Sequence, residues 1–252
     1  MTSTVPDQHS HSRRSFGARL ADAMEDHGPL CVGIDPHPSL LEAWGLADSA
    51  AGLRDFALRT VDAVGGRVGA VKPQSAFFER HGSAGIAVLE ETLAALRDVG
   101  TLSVLDVKRG DIGSTMAGYA QAYLSDGAPL AADSITVSPY LGYGSLNPAL
   151  DLAEASGRGV FVLALTSNPD GATVGEAVCR LGIDLLRANG PLLAPGIGAQ
   201  GAGPAELESV FGSARRHVLA STSRGVLKAG PSIEALRTAA LAATHEAAAA
   251  LR

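Results

Sequence analysis

The chain of 252 residues contains few cysteines, few aromatic residues and few charges, and each shortage excludes a class of protein. Its two cysteines, Cys31 and Cys179, form no CxxC pair. A disulfide framework or a cysteine-based zinc site is therefore not expected, and a reduced, cytoplasmic protein is the default. Aromatic residues make up 4% and charged residues 18%, but hydrophobic residues reach 46%, and this balance excludes a disordered polymer.

The chain also lacks an excess of positive charge and any long hydrophobic run. Lys and Arg number 20 against 26 Asp and Glu, so the formal net charge is −6 and the pI is about 5.6. This argues against a protein that binds nucleic acid through bulk positive charge, although it permits a local basic pocket for one anion. No stretch approaches the ~20 apolar residues of a membrane span.

The first 15 residues are polar and predict a disordered arm ahead of a folded domain at residues 16–252. The sequence RRSF at 13–16 imitates a twin-arginine export signal, but Arg19, Asp22 and Glu25 follow closely. Because no uncharged apolar segment follows the arginines, export is not expected.

Short runs rich in Val, Ile and Leu alternate with segments of helical period. We count seven such runs, at residues 30–35, 68–74, 102–108, 135–139, 159–165, 192–196 and 217–221. This alternation is typical of a parallel sheet covered by helices, and no linker divides it. The sequence therefore predicts one (β/α)8 barrel, one strand short of closure. A doubly wound open sheet is the alternative, weakened because no GxGxxG opens the first helix.

Polar residues stand at the ends of several of these runs: Asp35, Lys72, Asp106, Lys108, Ser138, Ser167, Gln200 and Arg224. In a barrel of this kind the carboxyl ends of the strands form the rim of the active site. The recurrence therefore favours the barrel and places the candidate site at that rim.

The segment DVKRGDIG at 106–113 carries the most specific chemistry. Side chains two residues apart on a strand share a face, so Asp106 and Lys108 point together into the barrel mouth. Asp111 follows a glycine that lets the chain turn, and Thr115 lies one helical turn further on. Charges this close at a strand end are costly unless they pair. They could form a rim salt bridge with Asp111 at a helix start, or a catalytic array.

Lys72 ends a different apolar run and would face Asp106 in a barrel. With Lys108 and Asp111 it would complete an alternating Lys–Asp–Lys–Asp array, which keeps the lysines charged and holds one carboxylate close to a bound anion. The carboxylates disfavour a Schiff base, because they stabilise the ammonium while the imine needs a free amine.

A phosphate site is predicted from two loops. The sequence PGIGAQG at 195–201 offers closely spaced backbone N–H groups, and Arg224, followed by Gly225, adds a guanidinium on the next strand. A glycine-rich loop alone is equally explained by tight turns. The pairing with Arg224 favours phosphate, since the last two strands of such barrels usually carry that site.

Taken together, these segments resemble the orotidine 5'-phosphate decarboxylase family in its bacterial type 2 form. The resemblance runs from about residue 28 to 231 and is carried by VKPQ, DVKRGDIG, GIDPH, SPYLG, TSNP and the segment 195–201. The DxKxxD element is shared with a wider group of sugar-phosphate barrels, so the combination gives the specificity.

The resemblance implies a carboxy-lyase that converts orotidine 5'-monophosphate to UMP and CO2 in pyrimidine biosynthesis, with no cofactor and no metal. It implies that Lys108 stabilises and protonates the carbanion at C6, that Asp106 lies beside the leaving carboxylate, and that Lys72 binds Asp106 and the ribose. A homodimer is implied, with Asp111 and Thr115 contributed across its interface.

The remaining implied contacts are with the substrate: Asp35 with a ribose hydroxyl, Ser167 with the pyrimidine, and Gln200, Arg224 and Gly225 with the phosphate. Two rival functions stay open. One is a magnesium-dependent sugar-phosphate decarboxylase or synthase of the same barrel group, and the other is a non-catalytic nucleotide-binding relative.

The chain departs from the family pattern after TSNP at 166–169. A mobile loop, a helix and a sixth strand are expected there, yet GAT at 171–173 follows at once, so about 30–40 residues, one β/α unit, are absent. Either a disordered segment of the natural protein is not represented in this sequence, or a genuine deletion opens the barrel. We favour the first, because an open barrel should not retain a complete charge array.

Overall fold

The structure, a computed structural model, describes residues 13–164, 190–195 and 211–251. Strands and helices alternate along them, as the apolar runs predict. The strands are β1 (Leu30–Ile34), β2 (Ala70–Pro73), β3 (Val104–Arg109), β4 (Ser134–Val137), β5 (Gly159–Val162), β6 (Leu192–Pro195) and β7 (Val218–Thr222). Each of the seven predicted runs overlaps one of these strands.

Helices of the described residues lie before, between and after the strands. They are α1 (Phe16–His27), α2 (Pro38–Ala43), α3 (Ala50–Val64), α4 (Ser75–Glu79), α5 (Gly82–Asp98), α6 (Gly113–Leu124), α7 (Asn147–Ser156), α8 (Arg224–Leu227) and α9 (Ile233–Ala250). Serine hydroxyls cap three of them: Ser15, Ser49 and Ser232 each accept a hydrogen bond from a backbone N–H of the first turn. These caps explain where α1, α3 and α9 begin.

All the strand pairs are parallel, and they form the orders β2-β1-β7-β6 and β3-β4-β5. Two isolated bridges, Val71 with Ser103 and Gln74 with Asp106, connect β2 to β3. The described strands therefore follow one another as β5-β4-β3-β2-β1-β7-β6. The last strand lies beside the first, which is the arrangement of a closing barrel and excludes the doubly wound alternative.

The barrel is not closed within the described residues. There, β5 pairs only with β4, and β6 pairs only with β7. Residues 165–189, which include the GAT segment, lie outside the described part of the chain. The described strand count matches the sequence prediction, and the absence of a β/α unit stays a prediction.

The core lies around the strands, and β1 is buried along its whole length, as expected for a parallel strand covered on both faces. Trp44 is a core residue that connects several of the surrounding helices. Its ring lies 4.1 Å from that of Phe56, and its Nε1 donates to the carbonyl oxygen of Leu227 at 3.0 Å. This contact connects α2, α3 and α8 and so supports the strand ends of β1 and β7, where part of the site lies.

The amino-terminal arm was predicted to span residues 1–15. Residues 1–12 lie outside the described chain, whereas Arg13 donates to Asp126 at 3.0 Å and to the carbonyl oxygen of Ser156 at 2.9 Å, and Ser15 caps α1. Arg13 and Ser15, at the end of the predicted arm, thus form defined contacts with the rest of the chain. The assignment of residues 16–252 to one domain stays a prediction. None of the helices in the described ranges has both the length and the apolar character of a membrane span.

Candidate active site

Three charged side chains meet at the carboxyl ends of β2 and β3. The Nζ atom of Lys72 lies 2.9 Å from Oδ2 of Asp106, and the Nζ atom of Lys108 lies 2.6 Å from Oδ1 of the same carboxylate. Lys72 reaches Asp106 because β2 and β3 are neighbours, and Lys108 lies two residues after Asp106 on β3 itself. One carboxylate therefore bridges two ammonium groups.

The two lysines differ in their access to solvent. The side chains of Asp106 and Lys72 are 8% and 12% exposed, whereas that of Lys108 is 47% exposed. Lys72 is thus enclosed against the carboxylate, while the Lys108 ammonium can also contact a molecule in the barrel mouth.

Burial and pairing act in opposite directions on this cluster. Burial is the largest influence on the pKa of Asp106 and raises it, but the ammonium groups of Lys72 and Lys108 outweigh burial and hold the pKa below its usual range. Burial also lowers the pKa of Lys72, but the carboxylates of Asp35 and Asp106 outweigh it and raise the pKa above its usual value. Asp106 and Lys72 therefore stay charged at neutral pH.

Two further residues of this region were not predicted as site residues. Gln74, one residue beyond the end of β2, accepts a hydrogen bond from Lys72 Nζ at 3.2 Å, and its place two residues after Lys72 in an extended segment could have indicated this contact. Cys31 is buried beneath the site on β1, and burial raises the pKa of its thiol to about 12. A thiol held neutral in this way is a packing residue and not a nucleophile.

Arg109, the next residue after Lys108, is directed away from the lysines. Its Nη2 lies 2.6 Å from Oε1 of Glu79 on α4, and its guanidinium lies over the ring of Tyr119. Glu79 also accepts from Ser75 at 2.7 Å, and this hydrogen bond, followed by Arg109, lowers the pKa of Glu79. The pair fastens the end of β3 to α4.

Asp35 and Ser223 form a second cluster, where β1 and β7 end side by side. A Cβ atom placed on Gly33 would lie 2.9 Å from Ser223 Cβ and 3.2 Å from Asp35 Oδ1, so glycine is required there. Asp35 Oδ1 and Ser223 Oγ are both buried without a hydrogen-bond partner among the described residues. Buried oxygens rarely stay unpaired, so a bound molecule with hydroxyl groups would satisfy them.

Asp111 is not joined to the lysines of its own chain. Its Oδ1 accepts from the backbone N–H of Ile112 at 2.8 Å, and among the described residues it forms no ion pair. Thr115 is exposed in the first turn of α6. The structure thus brings together three of the four predicted members of the array, and leaves Asp111 and Thr115 at the rim.

The predicted phosphate contacts are described only in part. Arg224 and Gly225 are exposed at the start of α8, directly after β7 and beside Ser223. Ser167 and Gln200 lie outside the described residues. Within the described ranges, no group of three or more His, Cys, Asp or Glu side chains is placed to hold a metal ion.

Comparison with known proteins identifies relatives of this chain by sequence. A sequence model described as orotidine 5'-phosphate decarboxylase / HUMPS family matches residues 28–189. The orotidine 5'-phosphate decarboxylase of Streptomyces coelicolor is 55% identical over 262 residues, which cover 89% of this chain and 94% of the relative. That of Salinispora arenicola is 54% identical, with 90% and 94% covered.

Solved structures of similar proteins also match this chain. A crystal structure from Streptomyces avermitilis, assigned to orotidine 5'-phosphate decarboxylase, is 51% identical with a TM-score of 0.91 and covers 98% of this chain and 99% of its own. Leishmania donovani UMP synthase is 30% identical with a TM-score of 0.76, over 95% of this chain and 57% of its own. With a TIM-barrel-type α/β fold and these relatives, the chain belongs to the orotidine 5'-phosphate decarboxylase / HUMPS family.

Proposed function

We propose that this chain is an orotidine 5'-phosphate decarboxylase, a carboxy-lyase that converts orotidine 5'-monophosphate to UMP and CO2 in pyrimidine biosynthesis. The observation that carries the proposal is the carboxylate of Asp106, held between Lys72 and Lys108 at the mouth of the barrel. The names of relatives at 54–55% identity support the same reaction.

The arrangement suits a decarboxylation that leaves a localised carbanion. When the bond between C6 and the carboxyl carbon breaks, its electron pair stays on C6, and CO2 departs. A fixed ammonium beside C6 stabilises that developing charge electrostatically, because it is already oriented before the reaction begins. The ammonium then gives one proton to C6, which yields UMP and a neutral amine that regains a proton from water.

The exposure of the two lysines supports different roles for them. Lys108, which is half exposed, is proposed to face C6 and deliver the proton. Lys72, which is enclosed, is proposed to hold Asp106 ionised and to bind the ribose. Asp106 is proposed to lie beside the substrate carboxylate, where the repulsion between two anions is relieved as CO2 departs.

The substrate contacts are proposals that rest on the strand ends. Asp35, with its unpaired buried oxygen, is proposed to bind a ribose hydroxyl. Arg224 and Gly225 are proposed to bind the phosphate together with Gln200, and Ser167 to bind the pyrimidine. The position of Arg224 directly after the last strand supports its role, since this is where such barrels commonly bind phosphate.

A homodimer is proposed, with Asp111 and Thr115 contributed to the partner's site. Four large apolar side chains that are more than half exposed support it: Ile112, Tyr140, Leu141 and Tyr143. They follow the neighbouring strands β3 and β4, and α6 contacts the 3-10 helix Tyr143–Leu146. An exposed apolar group of this kind beside the site marks an interaction surface.

Cytoplasmic localisation is also a proposal, and it rests on the use of cysteine. Cys31 is buried and free in the structure, while Cys179 lies outside the described residues. An unpaired buried thiol suits a reducing compartment.

A missing β/α unit is proposed as well. The alignment with the Streptomyces coelicolor relative runs over 262 residues, more than the 252 of this chain, so part of the relative has no counterpart here. We expect the natural protein to carry an additional segment near residue 169. Its intact mass should then exceed 25.6 kDa, whereas a mass near 25.6 kDa would mean that the deletion is genuine.

Two other functions are separated from this one by direct assay. The family description includes HUMPS proteins, and a magnesium-dependent sugar-phosphate enzyme of that group would lose its activity in EDTA. A non-catalytic relative would bind UMP without turning over orotidine 5'-monophosphate. Following the absorbance of that substrate with and without EDTA tests the proposal: turnover should persist in EDTA, and absence of turnover would refute it.

A further inference from the structure

Strand β3 departs from regular pairing at the residues that carry the site. Its register against β4 is Leu105 with Ile135 and then Arg109 with Val137, so the register shifts between the two pairs. Three residues of β3, at positions 106–108, consequently stand opposite a single residue of β4, Thr136. Such bulges next to active sites redirect side chains.

The bulge leaves Lys108 in an unusual backbone conformation. Its φ angle is 45°, and it is the one residue other than glycine with a positive φ in the described ranges. A left-handed conformation is unfavourable for a side chain of this kind, so surrounding contacts must hold it. The neighbouring Gly110 allows the chain to leave the bulge, because a Cβ atom there would lie 2.4 Å from the carbonyl oxygen of Ser138.

The hydroxyl of Thr136 takes the place of a backbone acceptor for Lys108 and also contacts the side chain of Asp106. Its Oγ1 accepts a hydrogen bond from the backbone N–H of Lys108 at 2.9 Å and lies 2.8 Å from Oδ1 of Asp106. A hydroxyl has one proton, so the group that accepts from Lys108 donates that proton to Asp106. The residue is 3% exposed, so water does not replace either bond.

We propose that Thr136 is a positioning residue, whose hydroxyl holds the Lys108 backbone and the Asp106 carboxylate in the one geometry that sets the ammonium of Lys108 over the substrate. The proposal rests on the decarboxylase function proposed above. In the proposed mechanism Thr136 touches neither C6 nor the leaving carboxylate, and it acts through Lys108 and Asp106.

Two substitutions at this position separate positioning from packing. Thr136→Val keeps the shape and the buried apolar surface but removes the hydroxyl, which leaves the Lys108 N–H and one oxygen of Asp106 without this partner. Thr136→Ser keeps the hydroxyl and loses a methyl group. If Thr136 only fills the core, Thr136→Val should have the higher kcat of the two variants. If Thr136 positions Lys108 and Asp106, Thr136→Ser should have the higher kcat.

Steady-state kinetics with orotidine 5'-monophosphate and the affinity for UMP should be measured for both variants. We expect kcat of Thr136→Val to fall on the order of 10- to 100-fold, because small displacements of reacting groups have effects of this size. We expect UMP affinity to change less than about threefold, and kcat of Thr136→Ser to stay within about threefold of the unsubstituted enzyme, since its hydroxyl is retained. A valine variant with unchanged kcat, or a serine variant equally impaired, overturns the proposal.

Crystal structures of the two variants give a readout that does not depend on activity. Lys108 should keep its positive φ and its 2.6 Å contact with Asp106 in the serine variant and lose at least one of them in the valine variant. If the unsubstituted protein shows no decarboxylation, the proposed function fails while these structures still decide the role of Thr136. If Thr136→Val does not fold, Thr136→Ala is measured in its place, and failure of both to fold makes the role structural and overturns the proposal.

Discussion

The ammonium group of Lys108 lies 2.6 Å from Oδ1 of Asp106, two residues earlier on the same strand. The other oxygen of that carboxylate is bound by Lys72, which is nearly buried. Asp106 therefore pairs with two ammonium groups at once, and loss of its charge would leave Asp35 as the remaining carboxylate that favours the charged form of the enclosed Lys72.

Replacing Asp106 by asparagine should destabilise the protein. The change leaves Lys72 with less compensation in a buried setting, and we expect the free energy of unfolding to fall by about 3 kcal/mol, as when one partner of a buried pair is removed. Urea unfolding at pH 7 measures it. The control is Asp62→Asn, which removes an exposed ion pair with Arg237 and should cost less than about 1 kcal/mol. Equal effects of the two changes would contradict the account.

The contribution of this cluster should depend on pH in a defined direction. Because the pKa of Asp106 is held below its ordinary value, its contribution is present above about pH 4, near the pKa of the unfolded chain, and is lost as the pH falls through the folded pKa. Because the pKa of Lys72 is raised, its contribution is present below about pH 10 and is lost as the pH rises through the folded pKa.

The difference in unfolding free energy between the unsubstituted protein and Asp106→Asn should accordingly be constant between about pH 5 and 9 and shrink on acidification. Urea unfolding across the pH range measures this difference. A difference that grows below about pH 4 would mean that Asp106 is not held ionised by the lysines.

The strands were predictable because apolar runs that are buried on both faces are conspicuous in a parallel sheet. The contact of Lys72 with Asp106 was also predictable, since barrel topology sets successive strand ends side by side. The contacts of Thr136 with Lys108 and Asp106 were not predictable, because nothing in the sequence around Thr136 indicates a bulge in the neighbouring strand β3. The closeness of Asp35 and Ser223 was equally hidden, since it depends on the pairing of β1 with β7.

Removing the Arg224 guanidinium should weaken phosphate binding and, with it, catalysis. For Arg224→Ala we expect kcat/KM to fall about 100-fold, the loss of one or two charged hydrogen bonds. Binding energy from the phosphate can also order the site, so phosphite added in trans should partly restore activity on the nucleoside that lacks the phosphate. The control is Arg216→Ala, an exposed arginine on the 3-10 helix Gly212–His217 before β7, which should leave kcat/KM unchanged. An equal loss in both variants would contradict the assignment.

Mixing two inactive variants should restore activity if Asp111 completes the partner's site. In a heterodimer of Lys72→Ala and Asp111→Ala, one of the two sites carries both native residues, so random mixing should recover about a quarter of the native activity. Activity is measured after the variants are mixed and allowed to exchange subunits, with each variant alone as control. No recovery, although heterodimers form, would show that Asp111 does not act across the interface.

In the proposed mechanism, Lys108 provides the ammonium that stabilises and protonates C6. The most direct test compares turnover of orotidine 5'-monophosphate by the unsubstituted protein and by Lys108→Ala, in the presence of EDTA. We expect turnover by the unsubstituted protein and a loss of at least about 1,000-fold in Lys108→Ala, which should still bind UMP in part. The control is Lys228→Ala, which replaces an exposed lysine outside the site and should leave turnover unchanged. Near-normal turnover by Lys108→Ala would contradict the proposed mechanism.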